Sequence, residues 1–388
     1  MKKKISILGS TGSIGMTALN IIKKKKELFS INTLSANTNY KMICRQVREF
    51  KPNNFVILNK KNYLSVKKKF KNKKTKFYSN YNRLLKTKND ITIVGIPGLA
   101  GLEPTIIFTK NSKKILLANK ESIICGWNII SKIAKKNKTK IIPIDSEHFS
   151  IQKLVERHKD KEIEKIYITA SGGPFLNLPK NKFNQIKPQE AIKHPKWSMG
   201  KKISVDSATL MNKILELLEA QKIFSFPIDK YEIIIHPQSL VHAIIKFKNG
   251  ITKFLYHQPD MKIPIANAIF DFNININDFI KKKSSNVENI EFFKVNKSKF
   301  PAITLTPKLN KYISTPIIIN AVNEILVDQF LKKKIRFNSI FKYLSRVLKH
   351  KNYRKYAIQR PTNLSKIYLI DSWSRKVTFE MINNTKDI

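Results

Sequence analysis

Three stretches of this chain carry residue types at spacings that chemistry uses. The first is Gly9-Ser-Thr-Gly12-Ser-Ile-Gly15, which follows the alternating apolar run Lys4–Leu8 and opens a helical pattern, Met16–Lys25. Glycines between a strand and a helix let backbone N–H groups approach a pyrophosphate, and the same pattern also makes a plain tight turn. The second is Ile141-Ile-Pro-Ile-Asp145-Ser146-Glu147-His148, with carboxylates at i and i+2. On an extended chain alternate side chains share a face, so Asp145 and Glu147 are expected to converge on one hard cation, Mg²⁺ or Mn²⁺. A solvated turn reads the same way. The third is the helical pattern Ser207–Phe224, in which Asn212, Lys213 and Glu216 stand at i,i+3 and i,i+4 spacings. One helical face therefore carries all three, either as a solvated ion-pair face or as a phosphate and metal site.

Two loops lie between these stretches. Ser171-Gly172-Gly173-Pro174 is a turn able to donate hydrogen bonds to an anion, and His194-Pro-Lys-Trp197-Ser-Met199-Gly200 puts large side chains on a loop. Such side chains either pack back on a core or close over a ligand. Cys44 and Cys125 have no neighbours suited to a Cys–His nucleophile, a disulfide framework or a Cys₄ zinc site.

The elements that must position these groups are legible in the patterning. Strand patterns at Lys4–Leu8, Ser30–Ser35, Asn54–Leu58, Asp90–Gly95, Ile115–Ala118 and Ile141–Ile144 alternate with helical ones such as Lys41–Phe50 and Pro104–Thr109. That alternation predicts an α/β architecture whose N-terminal part is a Rossmann-like doubly wound parallel sheet over 1–149. Beyond it, strand patterns at Lys165–Ala170, Tyr231–Ile235, Ala243–Phe247 and Lys253–Tyr256 surround the helix at Ser207, which predicts a central α+β catalytic domain over 150–272. Residues 273–299, rich in Asn and Lys, read as a linker, and 300–388 as a small helical C-terminal domain with helices at Pro316–Lys333 and Ser339–Lys349.

Length and charge bound the rest. The 388 residues, 42% hydrophobic, suffice for two or three packed domains, and no apolar run approaches the ~20 residues that span a bilayer. The net charge of +47 comes from 74 Lys+Arg against 27 Asp+Glu, and only nine of the cations are Arg. Arg reads phosphates and bases better than Lys because its planar fork binds two acceptors. A surplus of Lys spread among Asn and Ile reads as solvated surface rather than a nucleic-acid footprint. A chain beginning directly at a strand is expected to be cytoplasmic.

Together these segments resemble the 1-deoxy-D-xylulose 5-phosphate reductoisomerase family. The matching runs are Ile7–Gly15, Leu117-Ala-Asn-Lys-Glu-Ser122, Pro143–His148, Ser171–Pro174, His194–Thr209, His236-Pro-Gln-Ser239, Pro259-Asp-Met261 and Asn320-Ala-Val-Asn-Glu324. The resemblance implies conversion of 1-deoxy-D-xylulose 5-phosphate to 2-C-methyl-D-erythritol 4-phosphate with NADPH and Mg²⁺, Mn²⁺ or Co²⁺. It implies Asp145, Glu147 and Glu216 as metal ligands. Ser171, Ser207, Asn212 and Lys213 would hold the substrate phosphate, and Lys120 and Ser146 would touch substrate oxygens. The His194–Gly200 loop would be a lid closed by Trp197. For the cofactor it points to Thr11, Gly12, Ser13 and Ile14, to Asn37, Thr38 and Asn39, and to Asn119, Glu121 and Gly200. A homodimer is implied, with neither nucleic acid nor membrane as partner. Many members carry Gly-Lys or Gly-Arg where this chain has Asn37-Thr38, and often Gly where it has Ile214. The competing expectations are a semialdehyde- or homoserine-type dehydrogenase sharing only the N-terminal fold, and a basic nucleic-acid-binding protein.

Overall fold

Strands too apolar to face water on either side must be covered on both, and the N-terminal strands meet that demand. In the computed structural model, which describes residues 2–197, 199–280 and 289–384, they are β1 (Lys3–Leu8), β2 (Phe29–Ala36), β3 (Asn54–Ile57), β4 (Lys76–Tyr78), β5 (Asn89–Val94), β6 (Ser112–Leu117) and β7 (Lys140–Pro143). They form one parallel sheet in the order β4-β3-β2-β1-β5-β6-β7. The order reverses between β1 and β5, so the ligand crevice of a doubly wound sheet opens at their carboxyl ends. Ile5, Ile7, Ile91, Ile93 and Leu116 are buried in its core. The α/β expectation holds, with β4 as an additional edge strand whose three residues are too few to show a period.

Residues 2–122, 128–149 and 260–280 make up this first unit, and the remaining described residues make up a second. The helix Lys262–Phe270, which falls inside the expected 150–272 domain, lies in the first unit. Its Ile265, Ala266 and Ile269 join the core of Ile5 and Phe29, and Phe270 meets the Phe29 ring edge-on at 5.5 Å. Tertiary burial of its apolar face decided this, which no local pattern reports.

The second unit contains β8 (Ile163–Ala170), β9 (Tyr231–Ile235), β10 (Val241–Phe247), β11 (Thr252–Tyr256) and β12 (Phe293–Lys294), in the order β11-β10-β8-β9-β12. β8 and β9 run parallel, and the other pairs are antiparallel. β12 falls inside the expected linker 273–299, of which 281–288 lie outside the described residues. The helices expected in the C-terminal part occur at Thr315–Leu331 and Ser339–Val347, joined by Tyr353–Ala357 and a 20-residue helix, Leu364–Asn383. The helix Thr315–Leu331 is buried nearly all round, its Asn320, Asn323 and Gln329 included.

Two local expectations are corrected. The pattern Ser207–Phe224 is not one helix: Lys201–Ala208 ends, Leu210 takes a left-handed φ of 60°, and Met211–Phe224 begins. A left-handed Leu costs ~1–2 kcal/mol, which burial of its side chain offsets. Asp145 and Glu147 are not alternate residues of an extended strand either. β7 stops at Pro143, and Glu147 sits in the first turn of the helix Ser146–Val155.

Candidate active site

Each unit carries its own set of polar groups. In the first, Gly9 leaves β1 with φ +81°, its N–H donating to the Ser35 carbonyl at 3.1 Å, and the Gly12 N–H returns to the Gly9 carbonyl at 3.0 Å. The helix Ser13–Lys24 starts on Gly12 without a side-chain cap, so its first N–H groups face the crevice at the β1 and β5 ends. A Cβ on Gly15 would lie 2.4 Å from the Gly9 carbonyl oxygen. Only glycine lets the turn close there. Ser10, by contrast, is buried and hydrogen-bonded to Gln46 at 2.6 Å, a structural role. Thr11 and Ile14 are half-buried and Ser13 is exposed.

Asn37, Thr38 and Asn39 leave β2 exposed at the same edge of the sheet. Asn39 caps the helix Tyr40–Phe50 by accepting the Met42 N–H at 3.1 Å. Asn119 caps Lys120–Asn137 through the Ser122 N–H at 2.8 Å, and its amide donates to the Gly98 carbonyl and to Glu121 Oε2 at 2.8 Å. That cap fixes Lys120 as the first helical residue, where its ammonium pairs with Asp145. Ser146 Oγ donates to Glu147 Oε2 at 2.7 Å. Both carboxylates follow β7 at the carboxyl edge of the sheet, which is where ligands bind in this architecture.

In the second unit the Leu210 break is what aims the chemistry. Ser207 closes one helix, and Asn212, Lys213 and Glu216 line the first turns of the next. Glu216 is 1% exposed; Lys213 Nζ donates to its Oε2 at 2.7 Å, and the Asn212 amide donates to Oε1. Asn212 Oδ1 is buried with no protein hydrogen bond. Gly173 packs so closely that a Cβ would lie 2.9 Å from the Ser207 carbonyl oxygen, which brings the Ser171 turn onto Ser207. Gly200 starts the helix Lys201–Ala208.

His194 links this turn to the Trp197 loop. Its Nδ1 accepts the N–H groups of Lys196 and Trp197 at 3.2 and 2.9 Å, so the ring proton sits on Nε2 and is donated to Ser171 Oγ at 2.9 Å. Burial, and then the nearby Lys213 charge, push the imidazole down to about 4. A base depressed in the fold binds fewer protons there than in the unfolded chain. Its stabilisation is therefore present above the ordinary 6.5 and lost as pH falls toward 4. An NMR titration of His194 is expected to show its midpoint near 4, and a midpoint at or above 6.5 would refute this hydrogen-bonding scheme. Trp197 is half-buried and meets His242 edge-on at 6.1 Å; Ser198, in the same loop, lies outside the described residues.

Two groups escape a reading of the sequence. Asp206, 1% exposed, takes the Lys202 ammonium at 2.8 Å and the Asn323 amide at 2.7 Å, anchoring the helix that ends in Ser207. Its only local signal is the i,i+4 spacing from Lys202. His242, in β10, is buried and stacked at 3.8 Å on His257, the residue that follows β11, a pairing that carries no local signal.

Three family models describe parts of this chain. The 1-deoxy-D-xylulose 5-phosphate reductoisomerase model matches residues 5–126, its C-terminal-domain model 141–224, and the DXP reductoisomerase C-terminal-domain model 257–377. The reductoisomerase of Pelagibacter ubique is 43% identical over 380 residues, covering 96% of this chain and 97% of the relative. The chain belongs to the 1-deoxy-D-xylulose 5-phosphate reductoisomerase family. The reductoisomerase of Endomicrobium trichonymphae is 37% identical, with 98% of this chain and 99% of its own covered. Among solved reductoisomerases, that of Zymomonas mobilis in complex with NADPH superposes with a TM-score of 0.88 at 29% identity, over 99% of this chain and 100% of that one. Another, in complex with NADPH, fosmidomycin and magnesium, superposes at 0.92 with 31% identity over 98% of both. Matches running from residue 5 to residue 377 do not favour a dehydrogenase that shares only the N-terminal fold. The glycine turn and Lys120 fall in the first reductoisomerase model, and Asp145, Glu147, Ser171, His194 and Glu216 in the second.

Proposed function

We propose that this chain catalyses the NADPH- and divalent-metal-dependent rearrangement and reduction of 1-deoxy-D-xylulose 5-phosphate to 2-C-methyl-D-erythritol 4-phosphate, in isoprenoid precursor synthesis by the non-mevalonate route. The observation that carries this reading is that the acidic groups the family resemblance assigns to metal are present and held by named partners, Glu216 most clearly. Residues 1–149 take the cofactor in this assignment, with its pyrophosphate on the turn Thr11–Ile14 and further contacts from Asn37, Thr38, Asn39, Asn119 and Glu121; Gly200, of 150–272, is assigned to the cofactor as well. Side chains of 150–272, with Lys120 and Ser146, take the substrate, and the C-terminal helices of 300–388 support them.

Asp145, Glu147 and Glu216 offer hard carboxylate oxygens, the donor set that suits Mg²⁺ or Mn²⁺. A divalent cation there acts as a Lewis acid and a template for the vicinal oxygens of the sugar. Lys120, anchored by Asp145, adds a fixed positive charge beside the reacting oxygens, and Ser146 a hydroxyl. Ser171 Oγ accepts both the His194 Nε2–H and the Gly173 N–H (3.1 Å), so its own proton is left to donate to a phosphate oxygen. Ser207 and Lys213 complete that anion site. Asn212 belongs to the same anion site: its amide gives one N–H to Glu216 Oε1 and keeps a second for a phosphate oxygen. Trp197 covers the substrate and excludes water.

Exhaustive chelation is expected to bring NADPH oxidation on adding 1-deoxy-D-xylulose 5-phosphate down to background, with recovery on adding Mg²⁺ or Mn²⁺. Turnover that survives chelation would overturn the reading. We further propose a cytoplasmic homodimer that uses neither nucleic acid nor membrane. No described helix is long and apolar enough to cross a membrane, and light scattering in solution reads the dimer directly.

A further inference from the structure

We propose that Lys60 and Lys61, which follow β3, hold the 2′-phosphate that distinguishes NADPH from NADH; the inference rests on the NADPH reading above. In a doubly wound sheet the residues ending the second strand face the adenosine ribose. An acid there accepts the 2′-OH of NAD, and a cation there takes the 2′-phosphate of NADP. Here β2 ends at Ala36 and continues as Asn37-Thr38-Asn39, which contains neither.

The neighbouring strand offers what this loop lacks. β3 lies beside β2 in parallel register, Ala36 opposite Ile57, and the Leu58 N–H donates to the Ala36 carbonyl at 3.1 Å. Both chains therefore leave the sheet at the same edge. Asn62 then ties them together: its amide donates to the Thr38 carbonyl at 2.8 Å and to the Asn37 carbonyl at 3.3 Å. Its backbone N–H is held by Asn59 Oδ1 at 2.9 Å, which fixes the first turn of the helix Lys60–Lys69. Lys60 and Lys61 thus stand two residues and one residue from Asn62, the group that grips the ribose-side loop. Both are exposed.

The surroundings favour an anion. Between Leu28 and Asn89 the only acidic residue is Glu49, and it is already paired with Lys23 at 2.5 Å and Arg45 at 3.4 Å. No other carboxylate in that stretch can repel a 2′-phosphate or accept the 2′-OH of NADH. A dianionic phosphate is matched by two ammonium groups, whereas Lys41, two residues beyond Asn39, offers one.

Cofactor binding without turnover tests this, by titrating NADPH and NADH into the full-length protein and following cofactor fluorescence. The double variant Lys60→Ala/Lys61→Ala is expected to raise the NADPH Kd roughly tenfold or more, leave the NADH Kd within about twofold, and flatten the salt dependence of NADPH binding. Lys60→Arg/Lys61→Arg is expected to retain the preference. An NADPH Kd that moves less than about threefold, an equal loss for both cofactors, or the whole loss appearing instead in Lys41→Ala would overturn the assignment. Failure of the unmodified protein to bind NADPH at all would instead overturn the cofactor reading on which it rests.

Discussion

Glu216→Gln is expected to cut metal-dependent turnover by roughly a thousandfold or more, because it removes a full negative charge from the proposed metal site while keeping the side chain's shape. The substitution also touches stability. Glu216 is 1% exposed and Lys213 7% exposed, and their contact is the buried ion pair of the second unit's site. Leaving a buried ammonium without its counter-ion costs about 3–5 kcal/mol, reduced here because Gln still offers Lys213 an oxygen. The two effects separate experimentally. Circular dichroism and NADPH titration are expected to report a folded, cofactor-competent protein, with a lowered melting temperature. Calorimetric titration with Mg²⁺ is expected to report lost metal affinity. Near-normal turnover at saturating Mg²⁺ would remove Glu216 from the metal site. Glu216→Ala, which deprives both Lys213 and Asn212 of an acceptor, is expected to be markedly less stable than Glu216→Gln.

The second large effect is expected at Gly15. An alanine Cβ there would stand 2.4 Å from the Gly9 carbonyl oxygen and 2.5 Å from Ser10 Cα, both backbone atoms of the same turn. No rotamer change relieves such a contact. Either the turn opens or the helix Ser13–Lys24 shifts from the end of β1, at a cost on the order of 2–4 kcal/mol. Gly15→Ala is therefore expected to lower thermal stability and to weaken NADPH binding at least about a hundredfold, since the first-turn N–H groups lose their aim. Gly12→Ala supplies the contrast. Its Cβ first meets the Gly9 oxygen at 3.4 Å, so the fold is expected to persist while cofactor approach suffers. Equal melting temperatures for Gly15→Ala and the unmodified protein would show that the turn is looser than its geometry.

Much of the site is legible in the amino-acid sequence, because its groups sit in short runs whose spacing is itself the signal. Gly9, Gly12 and Gly15 between a strand and a helix require nothing distant, and neither does the i,i+3 and i,i+4 face of Asn212, Lys213 and Glu216. Boundaries are less legible where polarity hides the period. The helix Lys60–Lys69 buries only Val66, so its ten residues show no apolar stripe, and β4 is too short to alternate. The break at Leu210 has no local signal because Leu is a good helix former; its left-handed backbone is imposed by packing.

By itself the sequence determined the parallel α/β start, the glycine turn and the residue types of the site, since these rest on local periodicity and on chemistry confined to a few adjacent residues. Only the tertiary structure decided that Glu147 stands in a helical turn, that His194 gives its proton to Ser171, and that Lys262–Phe270 packs in the first unit. It alone decided that the exit of β3 is tied to the exit of β2 through Asn62. Each of these depends on which distant segments share a core or a hydrogen bond. That is settled by burial and by satisfying buried polar groups across the whole chain.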